Sequence, residues 1–405
     1  MEKFTGLIGI FTLLGIAVLL SNNREKINLR TVFSGLALQF ILAFFILGTS
    51  LGEPVFRALD NAITTLVGFS DAGSTFLFRS YISDTYHPSL ENFAFRTLPT
   101  IIFFSSLISV LYHFGIIQKI VKMFAKIFQK TMFISGTESL SVSGNIFLGQ
   151  TEAPLMVKPF VDKMTKSELM AVMTGGFATA AGGILAIYVS WLSDIPGIAG
   201  HLLTASVMSA PAALVMAKII YPEVEESNTM GDLNIEIEQT TTNAMEALGN
   251  GATTGLKLAA NIAAMLIAFL SFVAMINYLL LFLGTSMEAI FGFLFKPLAW
   301  TMGVPWSEAG VLGTLMGKKI VLTELIAYGD LQQVLAEGLI SERTAIIASY
   351  ALCGFANFGS IGIQLGGIGA MAPNRRGDLA RLVTKAMIGG ALASWLTATI
   401  AGLLL

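Results

Sequence analysis

Residues 144–157, GNIFLGQTEAPLMV, set an amide (Gln150), a hydroxyl (Thr151) and a carboxylate (Glu152) side by side between two apolar arms. Far downstream, Glu324 sits in IVLTELIAY, and Asn357 and Ser360 sit in GFANFGSIG. The amides and hydroxyls both donate and accept hydrogen bonds, while the two carboxylates only accept. Such a set suits a neutral solute with many hydroxyl or N–H groups, such as a sugar, nucleoside or nucleobase. Bonds to a carboxylate are roughly twice as strong as neutral ones. An anionic solute would call for Arg or Lys, and neither segment has one. Phe355 offers either a flat apolar wall or plain core packing. A second cluster suits an ion. Asn145 lies one helical turn before Gly149, and Thr179 lies in GFATAAGG. Their side-chain oxygens, with freed carbonyls of Leu148 and Ala180, fit a hard monovalent cation. Alternatively, Asn145 and Thr179 satisfy broken backbone.

The surrounding chain fixes where these groups sit. It has 405 residues, 54% of them hydrophobic and only 12% charged, with mean hydropathy +0.74. A water-facing domain carries about 25% charged residues, so this is a polytopic helical membrane protein. The expected spans are 4–20, 32–51, 100–117, 169–190, 199–220, 256–283, a broken span within 318–369, and 385–405. The first is read as a membrane helix rather than a cleaved signal, because no small-residue cleavage site follows it. Eight crossings with the N-terminus outside put every basic cluster on the cytoplasmic side. Those clusters are Arg24 to Arg30, Lys119 to Lys130, Lys158 to Lys166 and Arg375 to Lys385. Lys122, Lys126 and Lys130 recur every four residues and mark an interfacial amphipathic helix. Residues 54–99 also read as interfacial, and 223–246 as a flexible linker with no chemistry of its own.

Net charge is −2, which excludes the basic field of a nucleic-acid binder. A lone Cys353 excludes an internal disulfide and a Cys-based zinc site, and reads as a small packing residue. His87, His113 and His201 lack ligand spacing.

A carboxylate at a membrane helix centre costs about 2.5–3.5 kcal/mol, so Glu152 and Glu324 need partners. Glu152 either binds the solute or accepts backbone N–H groups at a hairpin tip. Glu324 either binds it or pairs with Lys318 or Lys319. An internal repeat supports binding. TEAPLMV (151–157) resembles SEAGVLG (307–313), each following an apolar arm too short to span, and GFATAAGGI (176–184) resembles GFANFGSIG (354–362). Each half then reads as a re-entrant hairpin, a Gly-interrupted helix and an ordinary helix, with opposite orientation in the membrane. About 22 additional residues, 321–342, fall in the second half. By repeat position Glu308 matches Glu152, or else it is a plain helix cap. Inverted repeats of this type place substrate and ion near the midplane of secondary transporters. The expected fold is therefore all-α, with eight transmembrane helices plus two re-entrant hairpins. The expected segments are 1–117 (scaffold helices and interfacial segment), 118–220 (first transport half), 221–283 (linker and scaffold helix) and 284–405 (second transport half).

At GQTEAP, GVPWSEA and CGFANFGSIGI the chain resembles the concentrative nucleoside transporters. The likeness runs from INLRTV (27–32) to TATIAGLLL (397–405). The resemblance implies a homotrimer of eight-helix protomers. Spans 1, 2, 3 and 6 would form the scaffold, and the hairpins with spans 4, 5, 7 and 8 a transport domain that moves as an elevator. It also implies that Gln150, Thr151 and Glu152 hydrogen-bond the nucleobase, and that Glu324, Asn357 and Ser360 bind ribose hydroxyls. Ile184 and Phe355 would pack on the ligand. Sodium would lie among the Asn145 and Thr179 side chains and the Leu148 and Ala180 carbonyls. Two positions depart from the family pattern: Thr323 replaces an Asn beside Glu324, and Thr179 stands where Ser is common.

The resulting expectation is a multi-pass bacterial inner-membrane importer, embedded in the lipid bilayer, that couples entry of a nucleoside such as uridine to sodium. The alternative within transport is a proton-coupled nucleoside or nucleobase symporter with Glu152 or Glu324 carrying the proton. An intramembrane hydrolase lacks a nucleophile–His–acid set, and a passive channel has no use for closed hairpins.

Overall fold

The computed structural model describes residues 2–49, 52–80, 90, 94–95, 98–230 and 241–405, and the fold is all-helical. The helices are α1 (Glu2–Leu19), α2 (Leu29–Gly48), α3 (Gly52–Phe78), α4 (Leu98–His113), α5 (Ile116–Met132), α6 (Gly136–Gly144), α7 (Glu152–Leu155), α8 (Lys166–Ala178), α9 (Gly182–Trp191), α10 (Ile198–Ile220), α11 (Ala244–Leu281), α12 (Met287–Thr301), α13 (Trp306–Val321), α14 (Glu324–Ala336), α15 (Glu342–Leu352), α16 (Phe358–Met371) and α17 (Arg376–Leu404).

Length and composition separate spans from hairpins. By those criteria α2, the α8–α9 pair, α10, α11 and the stretch through α17 are long and apolar enough to cross a membrane. The shorter α1 and α4, together with the broken α15–α16 pair, complete the eight spans. The first arm of hairpin 1, α6, has nine residues, or roughly 13 Å at 1.5 Å per residue, less than half of a ~30 Å hydrocarbon core. Hairpin 1 comprises α6, α7 and the 3₁₀ turn Lys158–Lys163. Hairpin 2 comprises α13 and α14.

Burial sorts the helices by role. In their most apolar windows α10 is 89% buried and α8–α9 and α17 are 83% buried, whereas α11 is only 6% buried. A helix that is apolar all round and exposed in the protomer must face lipid or another copy. α11 leans on α4, and two glycines set that approach. A Cβ on Gly251 would lie 2.6 Å from the Ser106 Cα, and one on Gly255 would lie 2.7 Å from the Ile102 Cα.

Helix starts are written locally. Ser135 and Glu138 form a capping box on α6, as Thr165 and Glu168 do on α8. Thr323 caps α14, Ser341 caps α15 and Asn357 caps α16. α5 bends 77° from α4, exposing Lys122, Lys126 and Lys130 while burying Val121 and Phe128, as the four-residue lysine period predicts. α3 occupies much of the stretch read as interfacial. The rest of that expectation, residues 81–89, 91–93 and 96–97, lies outside the described residues, as do His87 and the far end of the second span.

Two expectations need correction. SEAGVLG does not follow the first arm of hairpin 2; it is the start of that arm, within α13. The segment 321–342 is therefore no insertion but contains α14, the second arm. The matching dipeptides are Thr151-Glu152 and Thr323-Glu324, each an N-cap residue and the first residue of a second arm. Glu308 instead accepts hydrogen bonds from Ser341 N at 3.1 Å and Ser341 Oγ at 2.9 Å, tying the base of hairpin 2 to the start of α15. The linker is likewise anchored at its near end. Ser227 and Thr229 hydroxyls donate to Glu168 Oε1 at 2.6 and 2.7 Å. Residues 231–240 lie outside the described set.

Candidate functional site

Two helices break where the hairpin tips meet them. α8 stops at Ala178, and residues 179–181 run extended before α9. α15 stops at Leu352, and residues 353–357 run non-helical before α16. The breaks lie back to back: a Cβ on Gly354, whose φ is +95°, would lie 2.5 Å from the Ala178 carbonyl. Only glycine accepts both that backbone conformation and that contact. Non-helical backbone at this depth persists because protein and a cavity surround it.

The cavity is ≈ 1160 Å³, and Gln150, Thr151, Glu152, Ile184, Glu324, Phe355, Asn357 and Ser360 all line it. Its far wall is Tyr112 of α4 with Asn250 and Asn261 of α11, and it extends toward Lys158 and Thr241. It therefore separates the hairpins from the outer helices.

Hydrogen bonds orient Gln150, Glu324, Asn357 and Ser360. Asn357 Oδ1 accepts from Ser360 N at 2.8 Å, capping α16, so its amide nitrogen turns to Glu324 Oε2 at 2.9 Å. Tyr188 donates its hydroxyl to the other oxygen, Oε1, at 3.2 Å, and its ring stacks on Tyr328 at 3.8 Å. Glu324 is thus buried with donors supplied by α9 and α16. The lysine pairing weighed for it does not form. Lys318 reaches Asp330 at 2.6 Å and Glu288 at 3.5 Å. Lys319 donates to the carbonyls of Ala351 and Cys353 at 3.0 and 2.8 Å, where the freed end of α15 presents partial negative charge.

Glu152 is different. It is exposed to the cavity, and its carboxylate folds over Gly149, where a Cβ would meet Oε2 at 2.2 Å. Gln150 Nε2 donates to Ser360 Oγ at 3.1 Å across the two halves of the chain. Ile184 is buried and Phe355 half-buried at the rim. Glutamates and amides from both halves therefore converge on one space, with apolar flanks for a flat ring.

The residues expected to hold an ion gather beside it. Asn145 is fully buried, and neither atom of its amide has a hydrogen-bond partner. Leaving such a group dry and unpaired costs about 1–3 kcal/mol, so its oxygen fits a cation. The Thr179 hydroxyl donates to Gly175 O at 2.9 Å and keeps its lone pairs. Gly182 N bonds Phe147 O at 3.2 Å, bringing the Leu148 side of the tip to the Ala180 break. Among the described residues no cluster of three His, Cys, Asp or Glu could hold a metal. Neutral oxygens alone match a singly charged ion better than a divalent one.

Sequence reasoning missed two residues that bond the site's side chains, Tyr188 and Gln364. Tyr188 lies four residues after Ile184, and Gln364 lies four after Ser360, each on the face already assigned to the site. That spacing is the signal that would have found them.

Comparison with known proteins now names the architecture. Residues 201–402 match the model "Na+ dependent nucleoside transporter C-terminus", residues 8–81 match its N-terminus, and residues 94–194 match "Nucleoside recognition". An uncharacterized transporter of Haemophilus influenzae is 41% identical over all of this chain and 98% of its own length. Sodium/nucleoside cotransporter 1 of mouse is 40% identical over all of this chain, which spans 64% of that protein. Among solved structures, CNTnw in an inward-facing substrate-bound state superposes with TM-score 0.92 at 40% identity, covering 100% of this chain and 98% of that one. A variant of CNTnw in an outward-facing state gives the same score and coverage. The chain belongs to the concentrative, sodium-dependent nucleoside transporter family.

Proposed function

We propose that this protein imports nucleosides such as uridine across a bacterial inner membrane in symport with sodium, working as a homotrimer whose hairpin domain moves as an elevator. One observation carries the reading: the tips of two oppositely placed hairpins and two helix breaks present Gln150, Thr151, Glu152, Glu324, Asn357 and Ser360 to a single cavity. The first three would engage the base. Glu324, Asn357 and Ser360 would engage the ribose, and Ile184 and Phe355 would pack on the rings. Sodium is the co-transported ion, taken by the side chains of Asn145 and Thr179 with the carbonyls of Leu148 and Ala180.

Coupling follows from this layout. Two of the four ion ligands, Asn145 and Leu148, share a hairpin tip with Gln150, so an ion that draws them toward Thr179 and Ala180 at the α8 break also fixes the tip that meets the base. By linkage, sodium then raises nucleoside affinity by the factor by which nucleoside raises sodium affinity. One positive charge moving through 100 mV supplies about 2.3 kcal/mol. The elevator reading draws support from the split between buried hairpin helices and exposed outer ones, with the cavity between them, and from the family's solved inward-facing, intermediate and outward-facing structures. The exposed apolar face of α11 supports the trimer. The deciding experiment is uridine uptake into proteoliposomes under an inward sodium gradient, against sodium-free vesicles under an inward proton gradient. Uptake in the first and not the second is expected. The reverse would make this a proton symporter with a glutamate as carrier.

A further inference from the structure

Gln364 of α16 is fully buried, yet it lies in the most glycine-rich run of that helix, SIGIQLGGIG. Its Nε2 donates to Met173 O at 3.1 Å and to Gln150 Oε1 at 3.2 Å. Gly176 makes the space: a Cβ there would lie 2.7 Å from Gln364 Nε2 and 3.0 Å from Gln150 Cβ. Two helices, α8 and α16, and a hairpin tip thus meet around one pair of side-chain amides.

The order of donors in this chain has a single solution. A main-chain carbonyl only accepts, so the Gln364 group facing Met173 O must be its NH₂. The second hydrogen of that nitrogen points at Gln150, so Gln150 must turn its carbonyl oxygen toward it. The Gln150 NH₂ is then committed to the other side, where one N–H meets Ser360 Oγ at 3.1 Å. The remaining N–H faces the cavity that Gln150 lines. Ser360 accepts from Gln150 and so keeps its own hydrogen to give. Amide orientation, which a free glutamine exchanges at little cost, is locked here from the backbone outward.

We propose that Gln364 is a positioning residue that sets base selectivity. By holding Gln150 as a donor toward the ligand, it favours nucleobases that present a hydrogen-bond acceptor at that edge. The keto-bearing bases (uracil, hypoxanthine, guanine) meet this requirement. Cytosine and adenine carry an amino group at the corresponding ring position and set donor against donor. The inference rests on the reading that Gln150 meets the base. A buried donor left facing a donor lowers relative affinity on the order of tenfold or more.

The test is competition of labelled uridine uptake by cytidine and by 3′-deoxyuridine, in the wild type and in Gln364→Met, whose side chain fills similar volume without donating. The wild type is expected to discriminate against cytidine by at least about tenfold. In Gln364→Met that ratio should fall to within about threefold of unity, because Gln150 is then free to turn. Discrimination against 3′-deoxyuridine should change by less than about threefold, because Glu324 and Asn357 bond neither glutamine and of the ribose groups only Ser360 touches the relay. General loosening of the site would lower both. Gln364→Met keeping the wild-type uridine-to-cytidine ratio would overturn the proposal. So would a wild type that takes cytidine as well as uridine, a result that needs no variant. A wild type that transports no nucleoside would sink the functional reading instead.

Discussion

Replacing Glu324 by Gln probes the carboxylate with little disturbance to packing. Glu324 accepts one bond from Asn357 and one from Tyr188. Asn357 cannot turn over, because its oxygen caps α16 through Ser360 N. The new glutamine must therefore place its oxygen toward Asn357 and its NH₂ toward the Tyr188 oxygen, which can accept as well as donate. Both internal bonds survive, so folding should hold, and removing a buried charge favours the folded state if anything. Ligand binding fares worse. A hydroxyl bonded to a carboxylate gains about 1.5–3 kcal/mol, against about 0.5–1.5 for a neutral acceptor. The loss per hydroxyl is about 1–1.5 kcal/mol, and the oxygen turned to Asn357 has less capacity left for a second one. Two ribose hydroxyls bound here would cost about 2–3 kcal/mol, or roughly 30- to 150-fold in affinity. The assay is uridine dissociation by calorimetry in detergent at saturating sodium, paired with the melting temperature. A Glu324→Gln protein of unchanged melting temperature that binds and transports uridine like the wild type would refute a ribose role for this residue.

Asn145→Ala should raise the sodium concentration for half-maximal uptake by tenfold or more, on the order of one lost charge–dipole bond, with little loss of stability, since its amide bonds nothing in the protein; uptake against sodium concentration reads this. Lys218→Met should lower stability by about 3–5 kcal/mol, because Lys218 is the 2.7 Å ion-pair partner of buried Glu138 and also bonds Ser167, and thermal melting in detergent measures it.

Much of this was legible because membranes simplify the code. Apolar length separated spans from arms, lysine period found α5, polar residues stranded in apolar runs named six of the cavity-lining candidates, and the family resemblance added Ile184. The register of the second hairpin was not legible. SEAGVLG resembles TEAPLMV over seven residues, while the structural match, Thr323-Glu324 to Thr151-Glu152, spans only two. Longer likeness won over the shorter one that marks the tips. Glu308 and Glu138 each stand third in the first arm of a hairpin, so the echo reflects helix-start chemistry. The Lys319 alternative for Glu324 fails for a related reason: its partners are backbone carbonyls freed by the α15 break, which side-chain inventories do not count. Gln364 reads as one amide in a glycine-rich helix until Met173 and Gln150 are seen against it.

In the proposed coupling one hairpin tip joins the ion to the nucleoside. Equilibrium titration of the purified protein tests it most directly: uridine affinity without and with saturating sodium, and sodium affinity without and with saturating uridine. Both affinities should tighten by the same factor within error, and Asn145→Ala should abolish the effect. Uridine affinity indifferent to sodium would contradict it.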